Sequence, residues 1–152
     1  MKFNKIAIIG VGLIGGSIGL AIKKNRAAKE VTGVFRRKAT LKKALKAKAV
    51  DKATMSIRDG VKNADLIIVA SPVHSIPLLI KEAARYAKKG AIITDAGSTK
   101  GWIVESVEKI LKNLHGVYFV GSHPMAGSEH TGVEYAIADL LKIGRASCRE
   151  RV

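Results

Sequence analysis

Short apolar runs alternate along the chain with longer stretches in which apolar residues recur every three or four positions. The runs predict strands at Lys5–Ile9, Val31–Phe35, Lys52–Met55, Leu66–Ala70, Ala91–Asp95 and Val117–Gly121. The stretches between them predict helices near Leu13–Lys24, Ala39–Ala47, Ile76–Lys88 and Gly101–Leu114. "LIIVA" and "AIIT" are apolar at successive positions, as strands are when helices cover both faces of a parallel sheet. Such alternation predicts an α/β fold with a doubly wound, mostly parallel sheet. No internal repeat or low-complexity linker interrupts it. From about Ile143, "IGRASCRERV" has no periodicity and no place in the rhythm. It reads as a reading-frame scar or an unstructured tail, so one nucleotide-binding domain is expected over 1–142, with 143–152 outside it.

Composition narrows the classes. A chain of 152 residues suits one domain with a real core, and 47% hydrophobic with 26% charged residues is ordinary for a soluble globular protein. No apolar run approaches the roughly 20 residues of a membrane span. "MKFNKIAIIG" enters a strand-like run without a signal-peptide layout, so a cytoplasmic protein with no membrane partner is expected. The single cysteine, Cys148, excludes an intrachain disulfide and a cysteine-based metal site, and no metal is expected. The formal charge of +15 could mark a nucleic-acid binder. Its lysines, however, are interspersed with apolar residues in "LKKALKAKAV" and "VEKILKNL", as on solvated helix faces. The few aromatic residues form no stacking cluster, so a basic surface for anionic small molecules is expected and nucleic acid is not.

"AIIGVGLIGGSIGLAI" places Gly10, Gly12 and Gly15 in the pattern G-x-G-x-x-G, after a predicted strand and at the opening of a predicted helix. Gly10 suits a tight turn, Gly12 a close approach of backbone to a diphosphate, and Gly15 close helix–strand packing. Leu13 and Ile14 begin the helix, whose free N–H groups and positive dipole end favour phosphate. Gly16 and Gly19 extend the small face. The plain alternative is a glycine-rich turn with no ligand. With the ligand, the fold is of the Rossmann type.

Roughly 20 residues after the glycines an acid normally holds the ribose 2′-hydroxyl of NAD. Here "GVFRRK" offers Phe35, Arg36 and Arg37, with Lys38 beyond. Methyltransferases share a glycine-rich first turn but also use an acid at this place. A 2′-phosphate explains the arginines, since guanidinium pairs with phosphate through a planar fork and stacks on adenine. NADP is therefore the expected cofactor, with NAD the other nicotinamide nucleotide the loop admits. An exposed basic turn is the alternative.

"ADLIIVASPVHSIP" sets Ser71, Pro72 and Val73 at a strand's carboxyl end, where ligands sit in this fold class. In "ITDAGSTKG", Asp95, Ser98, Thr99 and Lys100 cluster where a helix begins, a place to receive an anion or simply to cap the helix. "VGSHPMAGSEHTG" ends a strand at His123 and continues into a loop with Ser128 and Glu129. A histidine there can take a hydroxyl proton as hydride leaves the same carbon, although a lone histidine is also often structural. His74, His115 and His130 are expected at the surface.

Together, "GVGLIGGSIGLAI", "ADLIIVASPV", "TDAGSTKG" and "GSHPMAGSEHTGVEYA" resemble the prephenate dehydrogenase family of tyrosine biosynthesis, which includes arogenate dehydrogenases. The resemblance runs from about Lys5 to Leu141. It implies oxidation of prephenate or arogenate at the ring hydroxyl carbon, with hydride passing to a nicotinamide and a carboxylate leaving as carbon dioxide. It implies His123 as the group that takes the hydroxyl proton and Ser98 as its hydrogen-bonding companion. Ser128 and Glu129 would lie at the substrate mouth, with Glu129 as a gate. Two departures stand out. Phe35 replaces the acid of NAD-using members, and the helical domain that dimerises and supplies a carboxylate-binding arginine lies outside this sequence. Cofactor binding with poor turnover is therefore expected of the chain alone, and a homodimer of the full-length protein. The competing readings are a dehydrogenase of the β-hydroxyacid type, which relies on a lysine in a later helix, and a non-catalytic NADP-binding module.

Overall fold

The structure, a computed structural model, describes residues 3–112, 116–126 and 129–142, and the backbone of 146–149. In chain order the elements are β1 (Phe3–Ile9), α1 (Leu13–Lys24), β2 (Ala28–Val34), α2 (Lys38–Lys46), β3 (Lys52–Thr54), α3 (Ile57–Val61), β4 (Leu66–Val69), α4 (Ile76–Tyr86), β5 (Ala91–Asp95), α5 (Lys100–Leu111), β6 (Val117–Pro124) and β7 (Ala146–Arg149). Short 3-10 turns occupy Val73–Ser75 and Val133–Tyr135. The 7-stranded sheet has the order β3-β2-β1-β4-β5-β6-β7. β1 to β6 run parallel and β7 pairs antiparallel with β6. The chain starts at the centre, winds outward to β3, returns to β4 beside β1, and winds outward the other way. That reversal is the topological switch point, where open α/β sheets bind ligands at the carboxyl ends of their strands.

Period-two alternation sorts the strand side chains into two cores. Ala7 and Ile9 of β1 with Ile67 and Val69 of β4 join α3, α4 and α5 through Val61, Ile76, Ile80, Ile103 and Val107. Ile6 and Ile8 with Ile68 face the other way, toward Val11, Phe35, Ala44, Ala49 and Val133. Both core layers contain β-branched residues fully removed from water. Burying one such side chain contributes about 1.5–3 kcal/mol against leaving it exposed.

Three features differ from what periodicity alone predicts. The sheet is not covered on both faces throughout: Ile92 of β5 is 36% exposed and Tyr118 of β6 is 66% exposed, because among the described residues no helix lies over that side. Within the stretch read as a reading-frame scar or an unstructured tail, residues 146–149 pair as β7 with β6, with Ser147 opposite His123. α3 was not foreseen, since five residues carry too little periodicity to read. Its start has a local cause, as Ser56 Oγ accepts the Asp59 N–H at 3.2 Å.

Helices α1 and α2 end without glycine. Arg26 (φ 49°) and Lys48 (φ 55°) take the left-handed position. At α1 the Arg26 N–H donates to Lys23 O and the Ala27 N–H to Ile22 O; at α2 the Lys48 N–H donates to Leu45 O and the Ala49 N–H to Ala44 O. These are Schellman closures built on residues that resist the conformation.

Candidate nucleotide and active site

At the end of β1 the chain turns at Gly10 (φ 89°), whose N–H donates to Val34 O at 3.1 Å. A Cβ on Gly10 would lie 2.5 Å from Ala70 O and from Ser71 Oγ, so only glycine lets the ends of β1, β2 and β4 meet this closely. A Cβ on Gly15 would collide with the Gly10 carbonyl oxygen, which is why α1 can leave the sheet so tightly. Gly12 differs, because nothing lies within 4 Å of where its Cβ would be. It is the N-cap of α1 and makes no side-chain capping bond. The first helical bond runs from the Gly16 N–H to Gly12 O at 2.9 Å. The N–H groups of Leu13, Ile14 and Gly15 are thus left without intrahelical acceptors beside open space, a ready anion site. Ser71 Oγ donates to Ile9 O at 3.3 Å and ties the β4 loop to the same corner. Val73 is partly buried and Pro72 exposed beside it.

β2 ends at Val34, one residue earlier than expected, and Phe35 turns inward. It is only 6% exposed, and its ring lies over Gly33, where a Cβ would be 2.6 Å from Phe35 Cε2. The position where an acid would hold a ribose is therefore part of the α1–α2 core. Arg36, Arg37 and Lys38 are exposed at the start of α2. Arg37 is its N-cap in extended conformation, and its carbonyl accepts Thr40 Oγ1 at 2.8 Å. Among the described residues neither arginine has a carboxylate partner.

The β5–β6 edge holds the second group. Asp95 is 1% exposed. Its Oδ2 accepts the Gly97 N–H at 2.8 Å and pairs with Lys100 Nζ, and its Oδ1 accepts the Ser122 N–H at 3.3 Å. Lys100 was expected among anion-receiving groups. It is instead committed to Asp95, with a side chain only 13% exposed, because a buried carboxylate needs a paired charge. Ser98 and Thr99 are exposed at the amino end of α5, and Thr99, its N-cap, makes no side-chain capping bond. Capping does not account for these hydroxyls. β6 extends past Gly121 to Pro124, so partly buried His123 lies within the strand at its carboxyl end.

Glu129 is exposed, and Ser128 and His115 lie outside the described residues. His130 stacks on Tyr135 at 4.7 Å, and exposed His74 meets Trp102 edge-on at 5.8 Å. Beyond Glu129 the chain returns to the first half of the sheet. Val133 Cγ2 and Ala136 Cβ would each lie 2.9 Å from a Cβ on Gly16, and the Ile137 N–H donates to buried Ser17 Oγ at 3.1 Å. Ion pairs Lys43–Glu134 at 2.8 Å and Lys24–Asp139 at 2.9 Å fasten it further. The sequence marked Gly16 as a packing position without revealing its partner. Ser122 and Ser17 were missed; each is a lone small polar residue in an apolar setting, and no spacing signals it. Among the described residues no helix is long and apolar enough to cross a membrane, and no cluster of His, Cys, Asp or Glu could hold a metal ion.

A switch-point sheet, a glycine turn that uncovers a helix N-terminus, and polar groups gathered at the carboxyl strand ends define a nucleotide-binding domain of the Rossmann type. Residues 18–144 match the family profile described as "Prephenate dehydrogenase, nucleotide-binding domain", and the chain belongs to that family. It is 40% identical over 134 residues to a prephenate dehydrogenase of Bacillus subtilis, covering 88% of this chain and 36% of that protein. The solved prephenate dehydrogenase of A. aeolicus, in complex with hydroxyphenyl propionate and NAD+, superposes with a TM-score of 0.88 at 28% identity over 99% of this chain and 52% of that one. An arogenate dehydrogenase from Synechocystis gives a TM-score of 0.84 at 27% identity, covering 95% of this chain and 49% of that one. The chain thus spans a third to a half of the length of these relatives. The profile match begins after the glycine turn, so the case for that turn rests on its own geometry.

Proposed function

We propose that this chain is the cofactor-binding half of a tyrosine-biosynthesis dehydrogenase that oxidatively decarboxylates prephenate or arogenate, yielding 4-hydroxyphenylpyruvate or tyrosine. The observation that carries this reading is His123 at the carboxyl end of β6, beside the Ser98 turn and on the same sheet edge as the open N-terminus of α1. A bound nicotinamide supplies the hydride acceptor. The backbone at Gly10, Gly12 and Gly15 with the N–H groups of Leu13 and Ile14 holds the diphosphate, and Ser71, Pro72 and Val73 border the nicotinamide side. His123 takes the proton of the ring hydroxyl while Ser98 hydrogen-bonds the same oxygen, so the carbonyl forms as hydride departs. Aromatisation with loss of carbon dioxide makes the step effectively irreversible. Ser128 and Glu129 stand at the substrate mouth, Glu129 as its gate.

The cofactor is NADP in preference to NAD. Buried Phe35 removes the ribose-binding acid, and exposed Arg36 and Arg37 present two forks to a 2′-phosphate. The complete protein is a cytoplasmic homodimer in this reading. Assay of the full-length enzyme with prephenate and arogenate, following formation of the reduced nucleotide by its absorbance, tests it. Rapid reduction of NADP with at least one of the two supports the proposal. Inactivity toward both refutes it.

A further inference from the structure

Asp95 is the one buried carboxylate among the described residues, and the mechanism above gives it no task. Its contacts reach both sides of the proposed active site. Through Oδ2 it holds the Gly97 N–H, immediately before Ser98; through Oδ1 it holds the Ser122 N–H, immediately before His123. Ser122 Oγ also donates to the Asp95 carbonyl at 2.5 Å, and Thr94 Oγ1 donates to Val120 O at 2.6 Å, so the ends of β5 and β6 are laced by side chains beyond the ladder. Register bonding reaches Thr94 opposite Val120, and past that point these bonds continue the connection. The turn cannot drift the other way either. A Cβ on Gly97 would lie 2.5 Å from Ile103 Cδ1 and 2.7 Å from Ile76 Cδ1, which puts its backbone hard against α4 and α5. Lys100 closes the arrangement by neutralising the carboxylate from the first turn of α5.

We propose that Asp95, paired with Lys100, is a positioning residue that fixes the Ser98 turn and the His123 strand end relative to each other. This rests on the dehydrogenase reading for its catalytic consequence. A carboxylate is the group such a place requires, since it accepts on both oxygens and three donors converge on them, the Gly97 and Ser122 N–H groups and Lys100 Nζ. A neutral amide there would turn an N–H₂ toward either the Ser122 or the Gly97 N–H and push one of the two segments away. A proton acceptor displaced by about 1 Å can cost roughly a hundredfold in rate.

Removing one charge alone strands the other in the interior, so the informative variant is Asp95→Asn with Lys100→Met, which removes both. Asp95→Glu, which keeps a charge for Lys100 but carries the carboxylate a methylene further from the Gly97 and Ser122 N–H groups, is the second variant and serves if the first does not fold. In this chain, the histidine ring signals are followed by NMR. His74, which touches α5 through Trp102, is the control for general loosening of that helix. The His123 signal is expected to move while that of His74 stays, with NADP affinity within about threefold of the parent. In the full-length enzyme, kcat is expected to fall about 10- to 100-fold with KM for prephenate little changed, and Asp95→Glu to act in the same direction to a smaller extent. An unmoved His123 signal with unchanged kcat overturns the proposal, and so does joint movement of His74 and His123. An inactive parent enzyme would remove the dehydrogenase reading alone, because the His123 signal still decides whether Asp95 sets the strand end.

Discussion

On the proposed preference for NADP, replacing Arg36 and Arg37 together by alanine should leave a site indifferent between the two nucleotides. Both side chains are exposed at the start of α2 and make no carboxylate contact among the described residues, so no internal ion pair is lost with them. Hydrogen bonds to charged groups contribute about 1.5–3 kcal/mol when shielded from water. Solvent-exposed ion pairs contribute only about 0.2–1 kcal/mol. For two forks on one phosphate at the surface, about 1 kcal/mol each is a fair middle value, or about 2 kcal/mol together. That corresponds to about a 30-fold loss of NADP affinity. NAD lacks the phosphate and should bind the variant within about threefold of the parent. Calorimetric titration of both nucleotides into parent and variant measures this directly. Repeating it across salt adds a second readout, because a surface phosphate contact is screened over a Debye length of about 8 Å at physiological ionic strength. NADP binding should weaken with salt more steeply than NAD binding in the parent, and alike in the variant. Equal affinities for the two nucleotides in the parent would refute the reasoning, as would a variant that loses NAD as severely as NADP.

His123→Asn in the full-length enzyme should lower turnover by about 10²–10⁴-fold, leave cofactor affinity nearly intact, and abolish the limb of the pH–rate profile that reports loss of its proton. Turnover within severalfold of the parent would assign His123 to structure. Arg26→Gly and Lys48→Gly should each stabilise the chain by about 0.5–1 kcal/mol in urea unfolding, since glycine relieves the left-handed strain at some cost in unfolded-state entropy; a loss of stability would contradict the Schellman assignment. Asp65 is held below its ordinary pKa of 3.8, first by Lys88 and then by the N–H groups of Lys5 and Asn4. Its contribution to stability is present above that value and disappears as pH falls through the lowered pKa, so Asp65→Asn should cost stability at pH 7 and flatten the acid limb of a stability–pH curve.

Much of the framework was decided locally. Helix α1 and strand β5 occupy the residues that periodicity alone predicts, because an apolar stripe and an apolar run each specify an element without reference to its neighbours. The glycine turn was legible for a related reason: its positive φ and its tight contacts exclude side chains at positions only a few residues apart. His123 could be placed at a carboxyl strand end from the order of elements. What the side chains do there could not. Phe35 was read by what it lacks, and only the packed core shows that its ring lies across Gly33 and closes the place of the acid. Lys100 looked like a free cation in "GSTKG", yet a carboxylate five residues earlier occupies it. Ser17 meets the backbone of Ile137, 120 residues away, in a contact that no local window contains. Periodicity and turn chemistry act within a few residues and survive in the sequence, whereas the pairing of buried polar groups depends on which strands become neighbours. That was settled when β4 came to lie beside β1, bringing β5 and β6 with their polar ends to one edge of the sheet.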